Sequence, residues 1–155
     1  SNIYLGANTI FVGNGVLTLE FLIRFPNLST PEERYIARIG LGDTSNASHT
    51  NGIFFEYDES TSPNWIICTN DGAGPTKTTS STVVTENSWI KLKIIVNAAG
   101  NSVEYFVGGV SIGTQTLTIP TISGIRSHIV KSVGTGARFL DIDCMQIDYQ
   151  LTTSR

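Results

Sequence analysis

The chain has 155 residues and a net charge of −3, and only 15% of its residues are charged. Its ten lysines and arginines are scattered, so the sequence offers no basic stripe for a nucleic-acid partner. No apolar run reaches the ~18–20 residues of a membrane span, and we expect no membrane insertion. A chain of this length is expected to form one domain, over residues 1–155.

Alternating apolar residues indicate that this domain is built from β-strands. The first clear alternation follows one face of a strand that ends at Pro26: Leu17, Leu19, Phe21, Ile23 and Phe25. The segment 29–33 (STPEE) then predicts one helical turn at most, because a capping residue and Pro31 are followed at once by the next alternating strand.

The middle of the chain continues the alternation and then interrupts it. Strands are predicted at 35–41, 53–57 and 64–69, with a polar loop at 44–51. Residues 70–88 form the longest polar stretch, and we expect a binding loop or a projecting strand pair there, with a short strand around Val83 and Val84.

The last third of the chain predicts a hairpin, two further strands and a long final strand. Residues 90–96 and 103–107 flank a turn at 97–101, and Gly108 and Gly109 begin a second turn. In the final strand, 137–151, the apolar parity reverses near Cys144, which predicts either a β-bulge or burial on both faces. Ten to twelve short strands of this kind predict an all-β fold, a two-sheet antiparallel sandwich of the jelly-roll type.

The two cysteines, Cys68 and Cys144, lie 76 positions apart inside apolar runs. We expect two buried free thiols, because a free cysteine behaves as a small core residue, although pairing in a disulfide stays open. Two cysteines at this spacing do not form a zinc site.

Catalytic groupings are sparse in the sequence. His49 and His128 are the only histidines, and neither lies in a nucleophile-elbow context. Two carboxylate pairs could serve a polysaccharide hydrolase or lyase, each more simply explained as the solvated face of a strand. These pairs are Glu56 with Asp58, and Asp141 with Asp143. We therefore expect no enzyme and no catalytic residue, with polysaccharide cleavage and self-cleavage of a longer precursor as alternatives.

No cofactor or metal site is predicted. Several aspartates near strand ends leave a bound calcium open, but none of their spacings resembles an EF-hand loop. The turn Gly134-Thr135-Gly136 could hold a phosphate, yet it lacks the strand–loop–helix context of such sites, so we interpret it as a plain turn.

Candidate contacts to a glycan or a partner come from the polar stretch and the two tryptophans. Aromatic rings stack on sugars, and amide, carboxylate and ammonium groups bind hydroxyls. The candidates are Trp65, Asn70, Asp71, Lys77 and Trp89.

Six blocks of sequence resemble modules of phage tail fibres, tail spikes and appendages. They are RIGLGD (38–43), NGIFFEYD (51–58), NWI with CT (64–66, 68–69), NSWIKLKI (87–94), VNAAGNSVEYFV (96–107) and ARFLDID (137–143). These modules are similar to the concanavalin/laminin-G jelly roll, and no catalytic motif of theirs matches positions of this chain.

The resemblance implies a non-catalytic C-terminal module of a virion tail, made in the host cytoplasm. Such a module forms a homotrimer, and it serves fibre assembly, in some cases as a cleaved chaperone domain, or attachment to a host-surface glycan. The alternative is a lectin-like glycan-binding domain of a carbohydrate-active protein, and the polysaccharide lyase or hydrolase stands behind it.

Overall fold

A computed structural model describes the backbone of residues 2–45 and 47–152, and the side chains of these segments from residue 9 onward. Within them the chain forms eleven strands and no helix. The strands are β1 (Asn2–Phe11), β2 (Gly15–Arg24), β3 (Tyr35–Gly42), β4 (Asn51–Asp58), β5 (Ser62–Asp71), β6 (Pro75–Val83), β7 (Ile90–Val96), β8 (Val103–Val107), β9 (Val110–Gln115), β10 (Ile122–Lys131) and β11 (Asp141–Leu151).

The strands form two antiparallel sheets. The six-stranded sheet has the order β1-β10-β3-β4-β5-β6, and the five-stranded sheet has the order β11-β2-β7-β8-β9. The all-β, two-sheet antiparallel fold predicted from the alternation is confirmed. No described segment has the helical length and apolar character that a membrane crossing needs.

The core lies between the sheets because each strand turns one parity of its side chains inward. Along β2 every second residue is buried while the residues between them are half-buried. Aromatic rings from both sheets meet in the centre: Trp65 lies 5.7 Å from Phe55 and 6.0 Å from Phe25, between ring centroids. Tyr105 crosses the core and donates its hydroxyl hydrogen to the Cys68 carbonyl at 2.7 Å.

The two outward faces differ. On the five-stranded sheet the outward residues of β2, β7 and β8 are half-buried or exposed. On the six-stranded sheet, β3, β4 and β5 are buried on both faces along most of their length. We call these the open face and the covered face.

The polar stretch 70–88 was only partly predicted. It does not project from the body: β6 pairs with β5 as the edge of the six-stranded sheet, and Lys77 lies opposite Cys68. The strand β1 was not predicted at all. The segment after Ser29 forms a bend in which Thr30 accepts the Glu33 amide hydrogen, at 3.2 Å, and not a helical turn.

The parity reversal in the last strand is a β-bulge. The register between β11 and β2 shifts between Ile142 and Cys144, so the residues on either side of the shift alternate in opposite phase. The other explanation, burial on both faces, is wrong, because β11 is an edge strand with many exposed residues. The cysteines are both free, but only Cys68 is buried; Cys144 is exposed, which corrects the expectation of two buried thiols.

Candidate functional site

The structure does not bring the five candidate contact residues together. Trp65 is 1% exposed in the core, so its ring is not available for stacking. Asn70 is 5% exposed and its side chain holds loops in place, whereas Asp71, the last residue of β5, is exposed. Lys77 lies on β6 and Trp89 lies on the other sheet, directly before β7.

Trp89 is the candidate aromatic residue that the structure presents to solvent, with 47% of its surface exposed. Its side chain belongs to the open face, because Ile90 pairs with the inward-facing Ile23 and so places Trp89 beside Arg24. The Arg24 guanidinium carbon lies 5.0 Å from the indole centroid. Asp141 accepts two hydrogen bonds from that guanidinium at 2.8 and 3.0 Å. This cation–π contact and ion pair restrict the orientation of the indole ring.

A hollow of about 220 Å³ lies near Trp89 on the open face. It is lined by residues of three neighbouring strands, β2, β7 and β11: Glu20, Phe21, Leu22, Lys91, Cys144 and Gln146. Lys91 is two residues along the strand from Trp89, which corresponds to about 7 Å. Tryptophan and hollow therefore form one continuous surface, which we call the tryptophan face.

The charges on the tryptophan face are paired. Lys91 and Lys93 donate to the two oxygens of the Glu20 carboxylate, at 2.6 and 3.1 Å. The hydrogen bond from Lys91 is the largest of the effects that hold the pKa of Glu20 below its usual value. Lys93 also lies 5.7 Å from the Phe106 ring centroid. With Arg24 paired to Asp141, the surface presents many donors and acceptors and little net charge.

The covered face carries buried charged groups. Glu56, 2% exposed, accepts a hydrogen bond from Arg38 at 2.7 Å and another from Lys77 at 2.5 Å. Beneath this ion-paired row, Phe54, Ile66 and Cys68 form a second small apolar cluster. Burial is the main cause that raises the pKa of the Cys68 thiol well above its usual value.

The loop between β3 and β4 covers the centre of this face. It places His49, fully buried, against Phe54 and His128, with ring centroids 4.8 and 5.0 Å apart. Both imidazoles are nearly inaccessible, and burial is the largest cause that lowers their pKa, to about 3 for His49 and about 4 for His128. Both rings are therefore neutral at physiological pH.

The carboxylate pairs do not form a cleavage site in this geometry. Glu56 is held between two cations, and Asp58 accepts hydrogen bonds from Ser60 and Thr61 in the turn that follows β4. Asp141 is committed to Arg24 on the opposite side of the molecule. A general acid or base needs a carboxyl free to exchange a proton with substrate, and Glu56, Asp58 and Asp141 are engaged elsewhere. Asp143 is exposed at the register shift of β11, and its pair partner Asp141 is held by Arg24.

The glycine turn does hold an anionic group, and that group belongs to the chain itself. The Glu33 carboxylate accepts hydrogen bonds from the Thr135 and Gly136 amides at 3.1 and 2.9 Å, and it pairs with Lys131. The hydrogen bond from Lys131 is the main cause that lowers the pKa of Glu33 to about 2. Within the described residues no group of three or more histidine, cysteine, aspartate or glutamate side chains is placed to hold a metal.

Solved structures with a similar fold include sugar-binding domains and an enzyme. The carbohydrate recognition domain of Emp47p superposes with a TM-score of 0.64 at 12% identity, over 97% of this chain and 78% of that one. Sheep Galectin-11, in complex with glycerol, has a TM-score of 0.55 at 12% identity, over 95% and 96%. An alginate lyase from Corynebacterium sp. has a TM-score of 0.58 at 12% identity, over 90% of this chain but 61% of the enzyme.

These likenesses define the class of fold, a lectin-type jelly roll. At the family level, residues 3–143 match the model of the SO2946-like C-terminal domain, and the chain belongs to that family. No curated protein matches the sequence.

Proposed function

We propose that this protein is a carbohydrate-binding module and that it binds a neutral glycan on the tryptophan face. The observation that carries the proposal is an exposed tryptophan, held in orientation by Arg24 and Asp141, beside a largely apolar hollow that Glu20, Lys91 and Gln146 also line. The fold supports it too, because the similar structures include a carbohydrate recognition domain and a galectin.

Each part of the surface has a physical role in this proposal. The apolar C–H face of a sugar ring packs on the Trp89 indole, as apolar groups pack on aromatic rings elsewhere. Glu20, Lys91 and Gln146 offer acceptors and donors to sugar hydroxyls in the hollow. At about 220 Å³ the hollow is smaller than a typical drug-sized pocket of ~300–1000 Å³, so it suits one sugar unit of a longer chain.

The paired charges favour a neutral ligand over an acidic one. A carboxylated or sulfated sugar would need an unpaired cation, but Lys91 and Lys93 already contact Glu20 and Arg24 already contacts Asp141. Recruiting one of these cations to an acidic sugar would weaken its contact with Glu20 or Asp141, at a cost of less than about 1 kcal/mol for such partly exposed pairs.

The test is a glycan array probed with the wild-type chain, with Trp89→Ala and with Phe11→Ala. Phe11 is a matched control, because it is an aromatic residue with 59% exposure on β1, in the other sheet. We expect neutral oligosaccharides among the wild-type ligands, a loss of at least about ten-fold in affinity for Trp89→Ala, and no change for Phe11→Ala. Equal binding by all three proteins would contradict the proposed site.

The phage-tail setting, the homotrimer, and the role in fibre assembly or attachment to a host stay predictions. The likeness to carbohydrate-binding domains favours the lectin-like alternative over them. Light scattering at high protein concentration tests the trimer: a monomeric mass would contradict it.

A further inference from the structure

The loop of residues 43–50 is fastened to the covered face by a few polar contacts. Asn70 donates a side-chain hydrogen bond to the His49 carbonyl at 2.7 Å, and Arg38 donates one to the Ala47 carbonyl at 3.2 Å. At its base, the Asp43 carboxylate accepts the amide hydrogens of Thr50 and Asn51 at 2.9 and 3.0 Å. The Asn70 and Arg38 side chains of the sheet therefore hold the loop against its outward face.

The seat of this loop is shaped to the His49 side chain. A Cβ atom at Gly42 would lie 2.1–2.3 Å from atoms of the imidazole ring, and one at Gly52 would lie 2.9 Å from the His49 Cβ. Side chains at either position would exclude His49 from the sheet. The two glycines thus form a trough that His49 fills.

Opening the loop would uncover the small apolar cluster of the covered face. Phe54 and Cys68 are fully buried and Ile66 is 2% exposed, although all three point away from the main core. His49 packs edge-on against Phe54, so the loop supplies part of their cover. Cys68 lies opposite Phe54 in the register of β4 and β5, so its thiol serves as the reporter of loop opening.

The imidazoles lie among groups that oppose their protonation. Burial contributes most to lowering the pKa of both histidines, and Arg38 from β3 and Arg126 from β10 lower it further. His128 also lowers the pKa of His49, whereas a hydrogen bond to the Ala47 backbone acts in the opposite direction on His128. Asp43 acts in the opposite direction on His49, with its carboxylate 3.7 Å from Nδ1.

Other groups near the cluster do not change this balance. Glu56 already accepts hydrogen bonds from Arg38 and Lys77, and β1 pairs its uncharged Asn2 with His128 at the backbone. His49 Nε2 has no hydrogen-bond partner among the described residues, and the ring nitrogens of His128 have only a weak contact with the Ala47 backbone of the loop. Exposure to water would satisfy these nitrogens and allow them to take up protons.

From this geometry we infer that the described residues of this loop, 43–45 and 47–50, act as an acid-sensitive lid, closed over the covered face at neutral pH and released when the buried imidazoles become protonated. This inference concerns the sheet opposite the tryptophan face and does not depend on carbohydrate binding.

The direction and size of the effect follow from proton linkage. A histidine in the open state titrates near its usual value of ~6.5, but in the closed state only near 3 or 4, so protons bind preferentially to the open state. Between pH 7.5 and 5.0 the open-to-closed ratio rises about 30-fold if His49 alone becomes exposed. It rises on the order of 1000-fold if His128 becomes exposed as well.

The experiment measures the reactivity of Cys68 in a Cys144→Ser background, since Cys144 is the exposed thiol. The reagent is dithiodipyridine, a disulfide that reacts with thiols at acidic pH. The rate of its reaction with Cys68 is divided by the rate of its reaction with glutathione at the same pH. Folding is followed by the fluorescence of the buried Trp65. We expect the normalised rate to rise at least about ten-fold from pH 7.5 to 5.0 while the fluorescence stays native. A constant rate, or a rise that occurs only with global unfolding, would overturn the lid.

Two variants identify the sensor and the seat. In His49→Gln with His128→Gln the normalised rate should be independent of pH, and a full-sized rise would exclude the imidazoles as the sensor. Gly42→Ala should raise Cys68 reactivity already at neutral pH, because its methyl group displaces the His49 ring. In a His49→Ala background, Gly42→Ala should cause little further increase in Cys68 reactivity. An equally large increase in that background would contradict the fit between the trough and the His49 ring.

Discussion

The glutamates Glu56 and Glu20 provide a controlled comparison, because each carboxylate lies on the outward face of a sheet between two cations. Glu56 is 2% exposed and its partner Arg38 has 7% of its side chain exposed. Glu20 is 19% exposed, and its partners Lys91 and Lys93 are 51% and 32% exposed. The two sites thus differ mainly in burial.

Neutralising Glu56 leaves the Arg38 guanidinium buried without a counter-charge. Removal of one partner from a buried ion pair costs about 3–5 kcal/mol, and we expect Glu56→Gln to fall near 3 because glutamine keeps the volume and one acceptor. Lys77 adds little to this loss of stability, since its side chain is 37% exposed and its ammonium group can turn to water. For Glu20→Gln we expect less than about 1 kcal/mol, as for other surface pairs.

Thermal and urea unfolding, followed by Trp65 fluorescence, measure the difference. In a domain of this size 1 kcal/mol corresponds to about 2–4 °C, so Glu56→Gln should lower Tm by about 6–12 °C and Glu20→Gln by less than about 4 °C. Equal losses for the two variants would refute the argument that burial of Arg38 decides the cost.

Three further outcomes are expected. Tyr105→Phe should cost about 1–2 kcal/mol in urea unfolding, because it leaves the buried Cys68 carbonyl without the 2.7 Å hydrogen bond; an unchanged midpoint would contradict this. Glu33→Gln should speed amide exchange at Thr135 and Gly136, because it removes the carboxylate that accepts their hydrogen bonds. In the wild type this contact is fully present above the ordinary pKa of 4.5 and should be lost only as the pH falls through about 2. A turn that loosens already at pH 4 would argue against it. In native wild-type protein at neutral pH, mass spectrometry after brief alkylation should find Cys144 modified and Cys68 unmodified, and the reverse pattern would contradict their burial.

The strands were predictable because half-buried strands alternate along the sequence. Leu17 to Phe25 and the hairpin at 97–101 follow rules that need only neighbouring residues, and the reversal near Cys144 indicated a bulge as one of two explanations. The strands of the covered face do not show this alternation. Ile53-Phe54-Phe55 and residues 65–68 do not alternate, which is typical of strands buried on both faces.

The candidate sites depend on pairings between distant parts of the chain. Trp89 could be named as a contact residue, but its neighbours Arg24 and Asp141 meet only because β11 pairs with β2 across more than 100 residues. The hollow arises from the same pairing, since Cys144 lies opposite Leu22. Trp65 resembles Trp89 in local sequence, and only the packing of the two sheets decides that it is buried.

The covered face was missed for a similar reason. Polar residues at 44–51 indicated a loop, but nothing local indicated that it folds back onto its own sheet. Gly42 and Gly52 flank that loop, and their role is evident only once the imidazole of His49 is seen between them. A burial pattern set by tertiary contact cannot be derived from single-strand periodicity.

The most direct test of the central claim is an NMR titration of the chain with a neutral oligosaccharide that binds in the array. We expect saturable shifts of the Trp89 indole N–H and of the Lys91 and Gln146 amides, while residues of the covered face such as Phe54 stay unchanged. Shifts confined to the covered face, or no saturable shift with any bound neutral glycan, would contradict carbohydrate binding on the tryptophan face.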